Sequence, residues 1–111
     1  LKNNFFAFDV FQEMELKVGH IRSCLKVEES EKLLCSKVDL GEGRLRSIVS
    51  GAAGYYAPED MVDRRVIVVA NLKPVKIMGV ISEGMILFSD DNGKLMLIEA
   101  PEQVNPGVRV R

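Results

Sequence analysis

The sequence predicts an all-β fold: a small five-stranded barrel, one short helix between its third and fourth strands, and extra strands at the C-terminal end. Three observations predict it. Short β-branched and aliphatic runs recur between Gly- and Pro-rich breaks, as in Val66–Val69 and Met85–Phe88. The long run 16–27 changes its apolar phase next to Gly19, as a bulge or sharp bend requires. A single compact helical signal, Ala57-Pro58-Glu59-Asp60, sits midway along the chain.

Taken in order, residues 1–15 hold Phe5, Phe6, Phe8 and Phe11, which leaves only Phe88 for the rest of the chain. Asp9 as a capping residue, followed by Val10, Phe11 and Met14, predicts a helical turn over 8–14 whose stripe either covers an open end of the core or in part joins a second chain. In the strand 16–27, Leu16 and Val18 share one parity, and Ile21, Leu25 and Val27 take the other. His20 beside the bend reads as a half-buried structural histidine. A polar connection, 28–32, precedes a strand over 33–40, in which Leu34, Val38 and Leu40 oppose Cys35, Lys37 and Asp39. Gly41-Glu42-Gly43 supplies a tight hairpin loop into a strand over 44–50, where Arg44 and Arg46 share a face. Gly51 and Gly54 end that strand before the helix, which plugs the barrel. Tyr55 and Tyr56, past the strand end, are expected to pack one or both rings on the helix. Asp90-Asp91-Asn92-Gly93 marks a hairpin turn, and Lys94–Ile98 is counted as the fifth strand. Its two faces, Leu95/Leu97 and Met96/Ile98, are both apolar, so one must be covered from outside its own barrel. Residues 101–111 form a tail ending in a short added strand over Val108–Arg111. The layout is that of an OB-fold barrel in a single domain, 1–111, with an N-terminal helical and aromatic segment at 1–15 and a C-terminal extension at 101–111.

Bulk properties narrow the function. The 111 residues suffice for one core, and a net charge of −1 excludes a generic electrostatic grip on polyanions unless the cations are sorted onto one face. The spacing of Cys24 and Cys35 fits neither a redox pair nor a zinc knuckle, and with His20 as the lone histidine no metal site or cofactor is expected. Both thiols read as reduced and the location as cytoplasmic. No apolar run reaches the roughly 18 residues of a membrane span, and no charged-then-apolar leader is present. A start at Leu1 rather than Met reads as a domain cut from a longer polypeptide.

The segment between Val69 and Met85 carries Asn71, Lys73, Lys76 and Ser82, with no carboxylate until Glu83. A loop held between rigid strands and loaded with cations, an amide and a hydroxyl suits an anionic, hydrogen-bonding partner. Catalysis finds no support: Ser82 has no second histidine or nearby base to activate it, and no phosphate-loop lysine follows the glycines. Residues 33–50 contain no aromatic side chain, which disfavours base stacking along a single-strand groove. Recognition of a folded RNA through backbone and shape remains.

The stretches MELKVGHI (14–21), SEKLLCSKVDLG (30–41), RSIVSG (46–51), YYAPEDM (55–61) and ANLKPVKIMGVISEGMIL (70–87) carry a resemblance. The chain resembles, from about Phe8 to Arg111, the tRNA-binding domain at the C-terminus of many bacterial methionyl-tRNA synthetases and in free-standing tRNA-binding proteins. The resemblance implies a homodimer that binds the outer corner of tRNA by shape and has no chemistry of its own. It also implies a covalently attached synthetase body that gains tRNA affinity from the domain. Carried over as RNA contacts are Lys32, Asn71, Lys73, Lys76, Ser82 and Met85; Arg44 and Arg46 join them on strand parity alone. Where the family has an acid before the serine, this chain has Ile81, with Glu83 after it; Asp63-Arg64 replaces the family's Gly-Lys. The alternative readings are a free-standing homodimeric tRNA-binding protein and, because some relatives of this barrel are export chaperones that hold extended peptides, a peptide-binding relative of the same fold.

Overall fold

The computed structural model describes residues 3–111, so Leu1 and Lys2 lie outside the described residues. Eleven residues, Leu16–Lys26, form β1, the strand on which the barrel is built. It pairs antiparallel with β2 (Leu34–Asp39) on one side and β4 (Arg65–Val69) on the other, while β3 (Leu45–Ser50) extends the sheet beyond β2. Gly41 and Gly43 take φ of +74° and +79° in the β2–β3 hairpin loop, as its sequence requires. The helical turn after Phe8 is α1 (Phe8–Gln12), and α2 (Pro58–Met61) lies between β3 and β4 with Pro58 in its first turn. Met61 of α2 is fully buried and joins Ile21, Leu34, Val38, Ile48 and Val68 in the core, which is the plug predicted for this helix.

β1 serves three partners because it bends. Its register against β2 slips between Ile21 and Ser23, so the bulge falls at Arg22 rather than beside Gly19. The slip turns Cys24 inward and leaves Leu25, expected inside with Ile21, 73% exposed. Gly19 matters for another reason. A Cβ there would lie 2.6 Å from Val38 Cγ1, so the strand coils too tightly for a side chain. The start of β1, at Leu16 and Lys17, pairs with β10 (Arg109–Val110), the added C-terminal strand.

Three expectations need correction. Residues 70–84 are not one open loop: β5 (Val75–Ile77) and β6 (Val80–Ser82) form a hairpin of their own. The next member of the barrel sheet is then β7 (Met85–Ile86), paired with β4, whereas β8 (Phe88–Asp91) and β9 (Lys94–Leu97) form a separate two-stranded sheet. Lys94–Leu97 therefore adds a ribbon beside the barrel, joined back through a Val66–Glu99 bridge. At the N-terminus, Asp9 lies in the first turn of α1 and makes no cap, since the N-cap is Ala7. The aromatic stripe does not cover this chain's own core: no residue of α1 is buried, and Phe5 is 91% exposed. A five-residue helix with both ends open has too little surface to bury itself.

The structure also separates the two faces of 94–98. Leu97 joins the core, while Met96 and Ile98 stand exposed. His20 keeps its structural role, with its Nε2 3.3 Å from Asp63 Oδ1. Both cysteines are free thiols, and burial pushes the Cys24 thiol above its usual pKa. No helix among the described residues is long and apolar enough to cross a membrane.

Candidate nucleic-acid interface

The lobe 71–84 leaves the barrel at the end of β4 and returns at β7. Both ends are constrained by backbone geometry. At Gly84, φ is +140°, and a Cβ would sit 3.0 Å from the Val69 carbonyl oxygen, so only glycine fits the return. At the tip, Met78 and Gly79 have φ of +49° and +83°, the two left-handed residues of a two-residue hairpin turn between Ile77 and Val80.

Side chains then fasten the lobe to β3. The Ser82 hydroxyl accepts a hydrogen bond from Val49 N at 2.9 Å and donates to the Gly84 carbonyl at 3.3 Å, with the residue only 6% exposed. The Glu83 amide donates to Ser47 O at 2.8 Å, and its carboxylate accepts from Ser47 N at 3.2 Å. Arg44 donates two bonds to that same carboxylate, at 2.9 and 3.4 Å. Arg46 donates to the Ala70 carbonyl and, at 3.1 Å, to the Glu83 carbonyl, so one guanidinium spans both ends of the lobe. Its remaining donors go to the Glu42 carboxylate at 2.9 and 2.6 Å. Hydrogen bonds from Arg44 hold the Glu83 carboxyl below its ordinary pKa, and those from Arg46 do the same for Glu42. The Arg44 guanidinium is shifted up in turn by Glu83.

Asn71 faces the other way. Its Oδ1 accepts from Glu15 N at 2.9 Å and its Nδ2 donates to Glu13 O at 2.7 Å, which ties the lobe's first residue to the segment entering β1. Both ends of this amide are committed inside the chain.

Lys73 and Lys76 are exposed on the lobe, and Lys32 is exposed in the β1–β2 connection. None of the three belongs to an ion pair among the described residues. Met85 is 46% exposed and borders a concavity of about 230 Å³ with Val49, Leu72, Lys73, Val75 and Ser82. The eight sequence-derived residues thus divide. Lys73 and Met85 border the concavity, while Lys76 is exposed on β5 between Val75 and Ile77, which line it; Arg44, Arg46 and Ser82 hold the base of the lobe; Asn71 anchors its entry; Lys32 lies with the segment after β3, its carbonyl accepting from Ala53 N at 3.1 Å. Glu83 is the residue that sequence reasoning passed over. The only signal was its adjacency to Ser82, and its role depends on Arg44, 39 positions away.

Similar proteins bear on the assignment. A family model described as "Putative tRNA binding domain" matches residues 16–109. The methionine–tRNA ligase of Methanocella arvoryzae is 53% identical over 106 residues, covering 95% of this chain and 15% of that protein. The methionine–tRNA ligase of Listeria monocytogenes is 46% identical over 101 residues, covering 91% of this chain and likewise 15% of the relative. The chain thus spans about 15% of the length of these curated relatives. Among solved structures, a MetRS related protein from Pyrococcus horikoshii superposes with a TM-score of 0.93 at 36% identity, over 98% of this chain and all of that one. The chaperone CsaA of Bacillus anthracis superposes at 0.85 with 20% identity, over 96% of this chain and 99% of its own, a likeness of fold alone. With the family model spanning the barrel from β1 into β10, the chain belongs to the tRNA-binding domain family, and it matches a segment of methionine–tRNA ligases.

Proposed function

We infer that this domain is the non-catalytic, dimerising C-terminal module of a cytoplasmic methionyl-tRNA synthetase, and that it reads the folded shape of tRNA. The observation that carries the reading is the lobe: two lysines without an ion pair among the described residues stand on a segment whose base is clamped on β3. A backbone fixed before binding presents both cations to phosphates, with Lys73 beside a shallow apolar concavity that can take a ribose edge, so only the lysine side chains are left to order. Tethered to a catalytic body, such a contact raises overall tRNA affinity by making the second engagement intramolecular. Sequence is not read, because the exposed groups are two ammonium ions and apolar side chains rather than paired donors and acceptors aimed at base edges.

The test is tRNA affinity as a function of salt. Lys73→Ala combined with Lys76→Ala should weaken binding roughly tenfold and reduce the slope of log K against log salt by about two. Wild-type affinity and slope in that variant would defeat the reading. An unstructured oligonucleotide held as firmly as folded tRNA would defeat the shape component. Tight retention of an unfolded peptide at high salt, with tRNA in excess, would favour the peptide-holding alternative. For the dimer, Met96 and Ile98 are exposed apolar side chains on one face of 94–98, and Ile98 lines a recess of about 540 Å³ with Val18, Ile67, Val104 and Val108. Sedimentation of wild type and of Met96→Lys/Ile98→Lys should give a dimer and a monomer; a wild-type monomer at micromolar concentration would refute the dimer.

A further inference from the structure

A second cleft lies away from the lobe, where the β1–β2 connection, the segment after β3 and the β8–β9 turn converge. It has a volume of about 430 Å³, and its walls include Lys32, Tyr55, Gly93 and Leu95. Such a volume falls within the range of about 300–1,000 Å³ typical of small-molecule sites. Gly51 and Gly54 also line it, and a Cβ built on either meets nothing within 4 Å. The space is therefore open above two glycines whose backbone does not demand glycine through a left-handed φ. Glu31 lines the same cleft and is the one carboxylate in it.

The two adjacent tyrosines are sorted by this segment. The amides of Tyr55 and Tyr56 both donate to the Ala52 carbonyl, at 2.9 and 3.0 Å, which fixes the turn. Tyr56 points inward: its hydroxyl accepts from Leu97 N at 3.0 Å, and its ring packs 6.4 Å from that of Phe88. Tyr55 is left 50% exposed on a backbone its neighbour holds rigid. A half-exposed aromatic ring, a lysine without an ion pair among the described residues and a floor without side chains make a chemical set suited to one unstacked nucleotide.

We propose that this cleft is a single-nucleotide subsite, in which one unpaired, outward-turned base of a bound RNA stacks on Tyr55 while Lys32 holds its phosphate. Gly51 and Gly54 admit the base edge-on, and Glu31 can accept a hydrogen bond from an exocyclic amine while turning the phosphate toward Lys32. The subsite rests on the tRNA-binding reading, and it adds to that reading a contact that depends on stacking rather than charge. It also differs from a groove binder's row of aromatics, because Tyr55 is the one ring that lines this cleft.

The experiment compares tRNA affinity and its salt slope in four variants of this chain. Tyr55→Ala should lose roughly tenfold in affinity with an unchanged slope, and Tyr55→Phe should bind as wild type. Lys32→Ala should lower the slope by about one. Gly54→Val, whose Cβ enters open space, should weaken binding, with a thermal midpoint equal to that of Gly54→Ala as the check that the fold is kept. If Tyr55→Ala and Gly54→Val both bind as wild type while the Lys73/Lys76 variant is impaired, the subsite is refuted and the lobe assignment stands. If wild type does not bind tRNA, both fail together. A loss in Tyr55→Phe equal to that in Tyr55→Ala would also overturn the proposal, since a stacking ring survives that change.

Discussion

The base of the lobe and its outer side carry the same kind of residue and use it in opposite ways. At the base, Arg44 and Arg46 are committed to Glu42, Glu83 and two backbone carbonyls. On the outside, Lys73 and Lys76 meet no carboxylate within ion-pair reach among the described residues. Arginine's planar fork suits a fixed clamp with several acceptors, whereas a lysine tip is a mobile point charge that keeps its hydration until a partner arrives. A cation's type and position do not assign its role; whether its donors are already satisfied does. The lobe is held rigid by one set so that the other can be presented.

That contrast can be broken at either side. The largest effect on stability should come from Arg46→Met, which leaves the Ala70 and Glu83 carbonyls without this donor and strips Glu42 of its partner. A loss of about 2–3 kcal/mol in urea unfolding is expected. A stable variant with impaired tRNA binding would instead make Arg46 a direct contact. Asn71→Ala should cost about 1 kcal/mol and speed amide exchange at Glu15, because the bond that protects that amide is removed. Unchanged exchange there, with weaker RNA binding, would return Asn71 to the interface. Lys73→Ala with Lys76→Ala should shift unfolding by less than about 0.5 kcal/mol, since exposed side chains without internal partners support nothing. A larger loss would mean that the outer cations also brace the lobe.

The smallest effect concerns pH. Glu83 and Glu42 have depressed pKa values in the folded state, so each contributes stability that is present above the ordinary glutamate value of 4.5 and is lost as pH falls through the lower, folded one. Glu83→Gln should therefore be less stable than wild type at neutral pH, and the gap should close under acid. A gap that persists to low pH would show that the carboxylate's charge is not what fastens the lobe. Both side chains keep roughly a quarter of their surface in water, so solvent screening keeps the effect modest.

Much of the architecture was legible in the sequence because it rests on local rules. Alternation placed Leu34, Val38 and Leu40 inside, Gly41 and Gly43 marked their turn, and Pro58 with two acids marked the plug helix. Local rules failed where a segment's partner is remote. The phase change in β1 was visible, but its location at Arg22 depends on the register with β2. Lys94–Leu97 reads as a barrel strand until Phe88–Asp91 is seen to claim it. The aromatic stripe of α1 has the spacing of a core-facing helix, yet too little of this chain lies against it to bury it.

By itself the sequence determined the alternating inside and outside of the barrel strands, the turns, the plug helix and the membership of this chain in its family. These depend on neighbours within a few residues, or on motifs that survive as strings. Only the tertiary structure decided which polar groups are free. Arg44 meets Glu83, Arg46 meets Ala70, and Asn71 meets Glu13 across separations of 39, 24 and 58 residues. A hydrogen bond satisfied across such a distance leaves no mark in local composition. The division into groups that hold the lobe and groups left exposed on it is therefore a property of the folded contacts.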